Sequence, residues 1–424
     1  MIRLLRILGL LVLIAVVAVG VLFWIGRDRG ATPAASVDLA NLGPDQRQQM
    51  LERGRWVARA ADCAACHTDP DGGSDLAGGL PMVTPMGSVY GTNITPSTEH
   101  GIGDYSADDL YRAVAQGVAP DGRNLYPAMP YPSYHRITRA DSDALWLWLM
   151  QQRPVDKPNR PDDLMFPFNI RPAIAVWNAL FRPEAEPFDP QGLENPQGEY
   201  LVDVLGHCGE CHTPRNLAYA LTDDHLAGEV IEGAYAPDLR PDALARRGWS
   251  GEDLVAFLHR GLSPQGVMTF RMFPVLSHST SHLSEDDLSA IADYLADGTQ
   301  LPGPQQRPPG GATAMDGHAL YLGLCAGCHG DNGQGQPHSS VPLDTNTTAM
   351  YRDPLNLIRI IAEGIPERDL AQGERMQAMP AFGGMLSDQQ MAELVNYLRE
   401  RWGGRPGDVT TGAVTSVLER NESH

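Results

Sequence analysis

Three copies of the pentapeptide Cys-x-x-Cys-His constrain this chain more than any other feature of its sequence. The copies span residues 63–67, 208–212 and 325–329, and all 6 cysteines lie within them. This pentapeptide is the attachment signature of a c-type haem, in which the two thiols bond to the vinyl groups and the histidine ligates the iron. The sequence therefore predicts three covalently bound haem c groups.

The predicted attachment residues are six thiols and three imidazoles. A zinc site or a thioredoxin-like redox pair is the alternative use of a Cys-x-x-Cys motif. A zinc site would use two such motifs and leave no role for a third, and a redox pair would need a βαβ context that the sequence does not show. The thiols are those of Cys63, Cys66, Cys208, Cys211, Cys325 and Cys328, and the iron ligands are His67, His212 and His329.

The sixth iron ligand is predicted to be methionine at each haem, because electron-transfer haems often use it and it raises the reduction potential. Met129 and Met379 each precede a proline, which favours extended backbone geometry and a stiff loop. Met272 lies at a similar distance from its motif histidine and is the predicted ligand of the second haem. Three nearby residues compete with it: Met268, His278 and His282.

Three motifs in 424 residues indicate three small domains of ordinary size. We predict an all-α fold in which three tandem class I cytochrome c-like haem domains follow an N-terminal transmembrane helix. The connection between the first two domains is apolar and is expected to pack rather than to offer a docking surface. The predicted segments are 1–29 (signal anchor), 30–44 (tether), 45–153 (domain 1), 154–195 (hydrophobic connection), 196–301 (domain 2), 302–312 (linker), 313–405 (domain 3) and 406–424 (a polar, loosely ordered tail).

Each domain is expected to close with two crossing helices. A glycine precedes every motif and would let a second helix approach closely: Gly54, Gly198 and Gly317. An aromatic residue follows each glycine and is expected to pack at the crossing: Trp56, Tyr200 and Tyr321. The second helices should begin at capping-box patterns, a hydroxyl residue followed three positions later by an acidic or amide residue. These pairs are Thr138 with Asp141, Ser284 with Asp287, and Ser387 with Gln390.

The N-terminus predicts export and a membrane anchor. Ile7 to Ile25 is an uncharged apolar run preceded by Arg3 and Arg6, and as a helix its 19 residues would span about 29 Å. A cleaved signal peptide usually has a shorter apolar region, so we favour an uncleaved anchor over a cleaved signal. Because thioether haem attachment in bacteria takes place outside the cytoplasm, the predicted location is the periplasmic side of the cytoplasmic membrane.

Charge excludes some partners. The formal net charge is −20, which makes nucleic acid an improbable partner. Lys157 is the single lysine of the sequence, so a lysine-ringed docking face is excluded. Arg215, three residues after the second motif histidine, would either pair with a haem propionate or face solvent.

Several segments resemble the triheme cytochrome c subunit of bacterial membrane-bound alcohol, gluconate or aldehyde dehydrogenases. In the first predicted domain they are ADCAACHT (61–68), GTNITP (91–96) and LYPAMPY (125–131). GHCGECHTPR (206–215) is similar to the second domain of that family and MPAF (379–382) to its third, and the resemblance covers about residues 48 to 410. It favours Met272 over Met268, because Met272 keeps the family's spacing to Leu283, although Ser281 and His282 depart from the pattern.

The resemblance implies an electron-transfer subunit. Its donor would be a quinoprotein, flavoprotein or molybdenum dehydrogenase that oxidises an alcohol, aldehyde or sugar acid, and its acceptor would be ubiquinone or a terminal oxidase. The sequence shows no paired carboxylates, serine triad or non-haem metal cluster, so we predict no substrate-converting activity for the chain alone. The alternatives are a haem peroxidase, against which three methionine ligands argue, and a cytochrome subunit of a terminal oxidase.

Overall fold

The computed structural model describes residues 1–27, 30–304, 315–337 and 339–422. These residues form a mainly helical protein with short antiparallel hairpins, which an all-α prediction did not include. By its internal contacts the chain divides into two compact units. The first contains residues 1–193, 200–210 and 215–220, and the second contains 194–199, 211–214 and 221–424. Most of the predicted linker, residues 305–312, lies outside the described residues.

The first helix, α1, spans Ile2–Ile25 and begins five residues earlier than the apolar run predicts. It includes Arg3 and Arg6, and none of its side chains is buried. By length and composition it is able to cross a membrane, and an N-terminal signal sequence would pass the same test.

The first unit surrounds the first Cys-x-x-Cys-His motif. Strands β1 and β2 form a hairpin, and β3, from the predicted hydrophobic connection, pairs antiparallel with β2. The connection therefore contributes to the first unit instead of only joining two domains. The elements are α2 (Pro44–Ala60), α3 (Cys63–His67), β1 (Pro81–Thr84), β2 (Gly87–Tyr90), α4 (Ala107–Gln116), α5 (Tyr131–Tyr134), α6 (Arg139–Leu149), β3 (Asp163–Leu164) and α7 (Ile174–Phe181).

Only one side of the connection packs as expected. Ala175 and Asn178 are buried, and the Tyr131 hydroxyl donates to Asn178 Oδ1 at 2.7 Å. The C-terminal end of α1 packs against α7, where a Cβ on Gly26 would overlap the Ala175 carbonyl. Other apolar side chains of the connection are exposed, with Phe166 78 % accessible. The other exposed apolar side chains here are Met165, Phe168, Ile170 and Leu180.

The second motif follows an irregular helical stretch. Helix α8 (Pro196–Glu199) belongs to the second unit, and the π-helix Tyr200–Leu205 belongs to the first. Helix α9 (Gly209–His212) carries the motif histidine. The widened π-turn replaces the regular helix that the first and third motifs follow.

The second unit holds the remaining helices and three hairpins. Strands β4 and β5, β6 and β7, and β8 and β9 each pair antiparallel. The helices are α10 (Pro241–Arg246), α11 (Gly251–Arg260), α12 (Met272–His278), α13 (Glu285–Ala296), α14 (Met315–Leu324), α15 (Ala326–His329), α16 (Leu355–Glu363), α17 (Asp388–Leu398) and α18 (Thr411–Glu422). The strands are β4 (Glu229–Ile231), β5 (Ala234–Ala236), β6 (Leu262–Ser263), β7 (Gly266–Val267), β8 (Arg368–Asp369) and β9 (Arg375–Met376).

Three close helix crossings occur at the three predicted glycines. A Cβ on Gly54 of α2 would overlap the Ala144 carbonyl of α6 and lie 2.7 Å from the Trp148 Cβ. Gly198 of α8 meets α13 in the same way, and Gly317 of α14 meets α17. The overlapped carbonyls there are those of Ala290 and Glu393, and the Cβ atoms of Tyr294 and Tyr397 lie 2.7 and 2.8 Å away. The structure confirms this prediction at all three positions.

Two of the three predicted capping boxes are complete. Ser284 and Ser387 each accept from the backbone N–H three residues on and receive the reciprocal bond. At α6 the Thr138 hydroxyl accepts from Asp141 N at 3.1 Å, but the reciprocal bond is missing. The Asp141 carboxylate instead binds the Arg53 guanidinium in a bidentate pair, at 2.6 and 2.9 Å.

The predicted aromatic packing holds at one crossing. The Tyr321 ring lies 5.6 Å from the Tyr397 ring of α17. Tyr200 instead packs on Phe188 and donates to Asp141 Oδ2, because the π-helix turns it towards α6. Trp56 lies beneath the guanidinium of Arg53, with 3.9 Å between the ring centroid and the guanidinium carbon.

The C-terminal segment corrects the expectation of a loosely ordered tail. Helix α18 packs against α16 and α17, and its Val414 and Val417 are buried in the same core as Leu394. The two valines are three residues apart and face one side of a helix whose other side is polar, which is the pattern of an amphipathic helix.

The crossing at Gly317 is testable by two substitutions within one helix. Gly317→Ala should destabilise the protein by about 1–3 kcal/mol, because the added methyl group overlaps the α17 backbone. Gly323→Ala, also in α14, has no described atom within 4 Å of the new Cβ and should be neutral or stabilising. Denaturant unfolding of both variants measures the difference, and equal effects would contradict the crossing.

Candidate haem-binding sites

The first motif opens onto a large cavity in the first unit. Its volume is about 590 Å³, within the range of small-molecule and cofactor sites. Both cysteines of the motif line it, as do His67 and Met129. The structure therefore brings the two predicted iron ligands and the two predicted thioether positions to one cavity, and this set of side chains fits a covalently bound haem.

The His67 ring is oriented by a backbone hydrogen bond. Its Nδ1 lies 2.6 Å from the Thr92 carbonyl oxygen, and since a carbonyl only accepts, Nδ1 carries the proton. The other ring nitrogen, Nε2, is then the lone-pair donor that a metal requires. The loop reaches this position because Gly91 lies against the Cys66 carbonyl, where a Cβ would overlap.

The other two motif histidines repeat this bond. His212 Nδ1 donates to the Pro237 carbonyl at 2.7 Å, and His329 Nδ1 donates to the Val341 carbonyl at 3.0 Å. The acceptor lies 25 residues after the histidine in the first two sites and 12 residues after it in the third. Three separate loops therefore hold three imidazoles in the same tautomer.

Burial keeps these imidazoles neutral. It lowers the pKa of His67, His212 and His329, and for His212 the pKa falls to about 4. The backbone hydrogen bond opposes this shift at each ring without cancelling it. At neutral pH the rings are therefore in the unprotonated state from which a histidine ligates iron.

Backbone hydrogen bonds fix the loops of Met129 and Met379. The Met129 N–H donates to the Tyr126 carbonyl at 3.0 Å, and its carbonyl accepts from Tyr131 N at 2.7 Å, where α5 begins. Met379 exchanges two bonds of 2.9 Å with Ile365. Both thioethers are thus carried by loops that the fold holds in place.

In the second site the two candidate methionines have different surroundings. Met268 is 1 % exposed and lies in a core with Leu276 and Leu370, and its carbonyl accepts from Arg368 at 3.1 Å. Met272 opens α12 and packs at the edge of that core, partly exposed like Met129 and Met379. A thioether already surrounded by protein atoms has no side left for a cofactor, so this geometry favours Met272.

His282, a competing candidate for the second iron ligand, and Arg215, which follows the second motif, both have hydrogen-bond partners within the protein. His282 Nε2 donates to the Ser277 carbonyl at 3.0 Å. Arg215 does not face solvent: it pairs with Glu210 at 2.8 Å and stacks on the Tyr219 ring. Of the two expectations for this residue, the solvent-facing one is wrong, and pairing with a haem propionate stays a prediction.

Sequence reasoning missed the residues that orient the histidines. The loops at 93–96 and 236–239, downstream of the first two motifs, each have a carbonyl acceptor at or beside them, that of Thr92 and that of Pro237. Their equal separation from His67 and His212 was the one available signal. Tyr134 and His207, which also line the first cavity, carried no signal of their own.

Comparison with known proteins identifies the family. The cytochrome c family model matches residues 314–402. The cytochrome c subunit of gluconate 2-dehydrogenase from Pantoea cypripedii is 38 % identical over 92 % of this chain and 94 % of its own length. The cytochrome c subunit of the quinone alcohol dehydrogenase from Gluconobacter oxydans is 37 % identical, with 89 % and 86 % covered. The fructose dehydrogenase cytochrome subunit from Gluconobacter japonicus is 36 % identical, with 87 % and 82 % covered.

The chain belongs to the family of dehydrogenase cytochrome c subunits. The resemblance predicted from the sequence is thereby confirmed. The protein is an electron-transfer cytochrome that binds haem c covalently, and the peroxidase and oxidase alternatives are not favoured.

The approach of Gly91 to the first motif gives a test of the histidine geometry. Gly91→Ala should push the Thr92 carbonyl away from His67 and cost about 1–3 kcal/mol of stability, because the new methyl group overlaps the Cys66 carbonyl. Gly251→Ala, at the start of α11, meets open space among the described residues and is the matched control. Thermal unfolding compares the two, and a midpoint equal to that of the control would contradict the packing.

Proposed function

We propose that this cytochrome is a membrane-anchored triheme subunit of a quinone-reducing dehydrogenase complex. Its three haems would carry electrons from a periplasmic dehydrogenase that oxidises an alcohol, aldehyde or sugar acid to ubiquinone or a terminal oxidase. The observation that carries the proposal is the shared histidine geometry: each of the three motif imidazoles donates Nδ1–H to a downstream carbonyl and keeps Nε2 for iron.

The count of three haem domains rests on two further repeated features. Each motif is preceded by a glycine at which a second helix crosses, and each second helix begins with a hydroxyl N-cap. In each copy, the carbonyl of a downstream loop also accepts a hydrogen bond from the motif histidine. These features support domains at 45–153, 196–301 and 313–405, the last of which contains the span matched by the family model.

The proposed roles of the haem-binding residues follow from position. The six cysteines form the thioethers, and His67, His212 and His329 ligate iron from one side. Met129, Met272 and Met379 would ligate from the other side and raise the potential. When bound, haem supplies the one-electron chemistry of its iron. The protein's own residues hold the imidazoles neutral, fix the methionine loops and supply the largely apolar surroundings that tune the potential.

A dehydrogenase partner is supported by the relatives. Three of them are named as subunits of gluconate, alcohol and fructose dehydrogenases, and they match this chain over most of their length. A chain that shares this whole architecture is suited to the same kind of assembly. The quinone named for the alcohol dehydrogenase supports a quinone-linked acceptor route.

A location on the periplasmic face of the cytoplasmic membrane is supported by α1 and its surroundings. The helix is long enough to span a bilayer, at about 36 Å for its 24 residues. The connection whose helix α7 packs against α1 also exposes Phe166, Phe168 and Leu180, side chains suited to the membrane interface. We propose that α1 is retained as an uncleaved anchor.

The methionine assignment is tested by paired leucine substitutions in the second site. Met272→Leu should lower the potential of one haem by tenths of a volt, within the range of about 0.8 V that axial ligands control. Met268→Leu, a conservative change in a packed core, should leave all potentials in place. Spectroelectrochemical titration measures both variants, and a drop in potential for Met268→Leu alone would reverse the assignment.

The partner is tested by purification of the native complex in mild detergent. A dehydrogenase should co-purify in stoichiometric amount, and its substrate should reduce the haems, which added ubiquinone should reoxidise. Retention of α1 is read from the intact mass of the same preparation. Co-purification of a haem–copper oxidase instead, or recovery of the chain alone with a five-coordinate high-spin haem, would refute the proposal in favour of the oxidase or the peroxidase.

A further inference from the structure

One residue joins the first cavity to the second motif. His207 lines the cavity that also holds Cys63, Cys66 and Met129, and it is bonded through the backbone to Cys208, the first thiol of the second motif. All of these residues belong to the first unit. A side chain at the wall of one haem site is therefore one residue away from the covalent attachment point of the next.

The position of His207 is fixed by its neighbours. Its backbone is left-handed, with φ of +40°, as is that of Asp62 before the first motif. The Cys208 N–H donates to the Val202 carbonyl at 2.9 Å. The imidazole stacks on the Tyr134 ring, with centroids 5.3 Å apart and an angle of 22° between the planes.

Tyr134 continues the contact to the first motif. Its hydroxyl donates to the Ala61 carbonyl at 2.6 Å, two residues before Cys63, and both residues line the cavity. Tyr134 also ends α5, the short helix that begins two residues after Met129. The stacked pair therefore lies beside the attachment edge of the first haem site.

A second set of bonds fastens α5 to the second motif. The Ser133 hydroxyl donates to Glu210 Oε1 at 2.7 Å, and Glu210 Oε2 binds Arg215 at 2.8 Å. Arg215 also donates to the Glu210 carbonyl at 2.7 Å. Glu210 lies between Cys208 and Cys211, so the segment next to Met129 and the segment between the second pair of thiols are held together.

One of the two nitrogens of the His207 ring is buried without a hydrogen-bond partner in the described part of the chain. Its Nδ1 is shielded from solvent and has no hydrogen-bond partner among the residues that the structure describes. A buried polar nitrogen in that state lowers stability and calls for a functional explanation. The stacked ring and its place in the chain supply one.

We infer that Tyr134 and His207 form the electron path between the first and second haems. This inference rests on the proposed function, since it requires a haem at each of the first two motifs. One electron passes, so that one iron is oxidised as the other is reduced, and no proton needs to move. Electron tunnelling is faster through bonded and closely packed atoms than across gaps, and the path consists of the stacked pair and the covalent chain that runs from the His207 ring through the peptide bond to the Cys208 side chain. His207 would act through its stack with Tyr134 and not as an iron ligand.

The test measures electron equilibration in the full-length protein after rapid photoreduction of one haem. His207→Leu should slow exchange between the first two haems by about tenfold or more, the scale of loss on removing outer-shell groups at metal sites. The haem potentials should not move. His135→Leu, next to Tyr134 but away from the cavity, is the control and should match the wild type.

A second variant tests whether electron exchange depends on the aromatic ring of residue 207 or on its nitrogen atoms. His207→Phe retains the aromatic stack and removes the buried unpartnered Nδ1, so it should keep the exchange rate and fold at least as well as the wild type. An unchanged rate in His207→Leu, or equal slowing in His135→Leu, would overturn the path. Loss of a haem from the wild-type chain, measured beforehand, would overturn the proposed function instead.

Discussion

A hydrogen bond from a histidine Nδ1 to a backbone carbonyl is the interaction on which the three candidate sites depend. In the first site it spans 2.6 Å between His67 and Thr92. The bond selects the tautomer, orients the ring and leaves Nε2 for iron, and it ties the motif helix to a distant loop. It forms only if the loop comes close, and in the first site that approach requires Gly91 at the point of contact.

The helix crossings fix the segments that lead into the motifs and so position the histidines that make these bonds. Gly54, Gly198 and Gly317 permit backbones to approach closely enough that a methyl group would overlap a carbonyl. Such an approach fixes the direction of the segment that enters each motif. The aromatic residues near the crossings do not share one set of contacts, and the Tyr200 hydroxyl donates to Asp141 Oδ2.

Local sequence patterns predicted the features that local physics decides. The N-caps at Ser284 and Ser387 follow from side chains three residues apart, and the structure has both. The carbonyl partners of the histidines could not be predicted, because a carbonyl is present at every residue and only the tertiary fold selects one. Helix α18 was missed for a related reason. Its valines lie on one face of a short, mostly polar segment, and that face becomes recognisable only when the core that covers it is known. The two-residue strands are likewise too short to leave a periodic pattern.

The intact mass of the purified protein is the best single test of whether the chain carries three haems in three equivalent sites. We expect the mass of the polypeptide plus three haems. Replacing both thiols of one motif, as in Cys208→Ala with Cys211→Ala, should remove one haem and leave the other two. A wild-type mass with only one or two haems, or a double variant that still carries three, would contradict it.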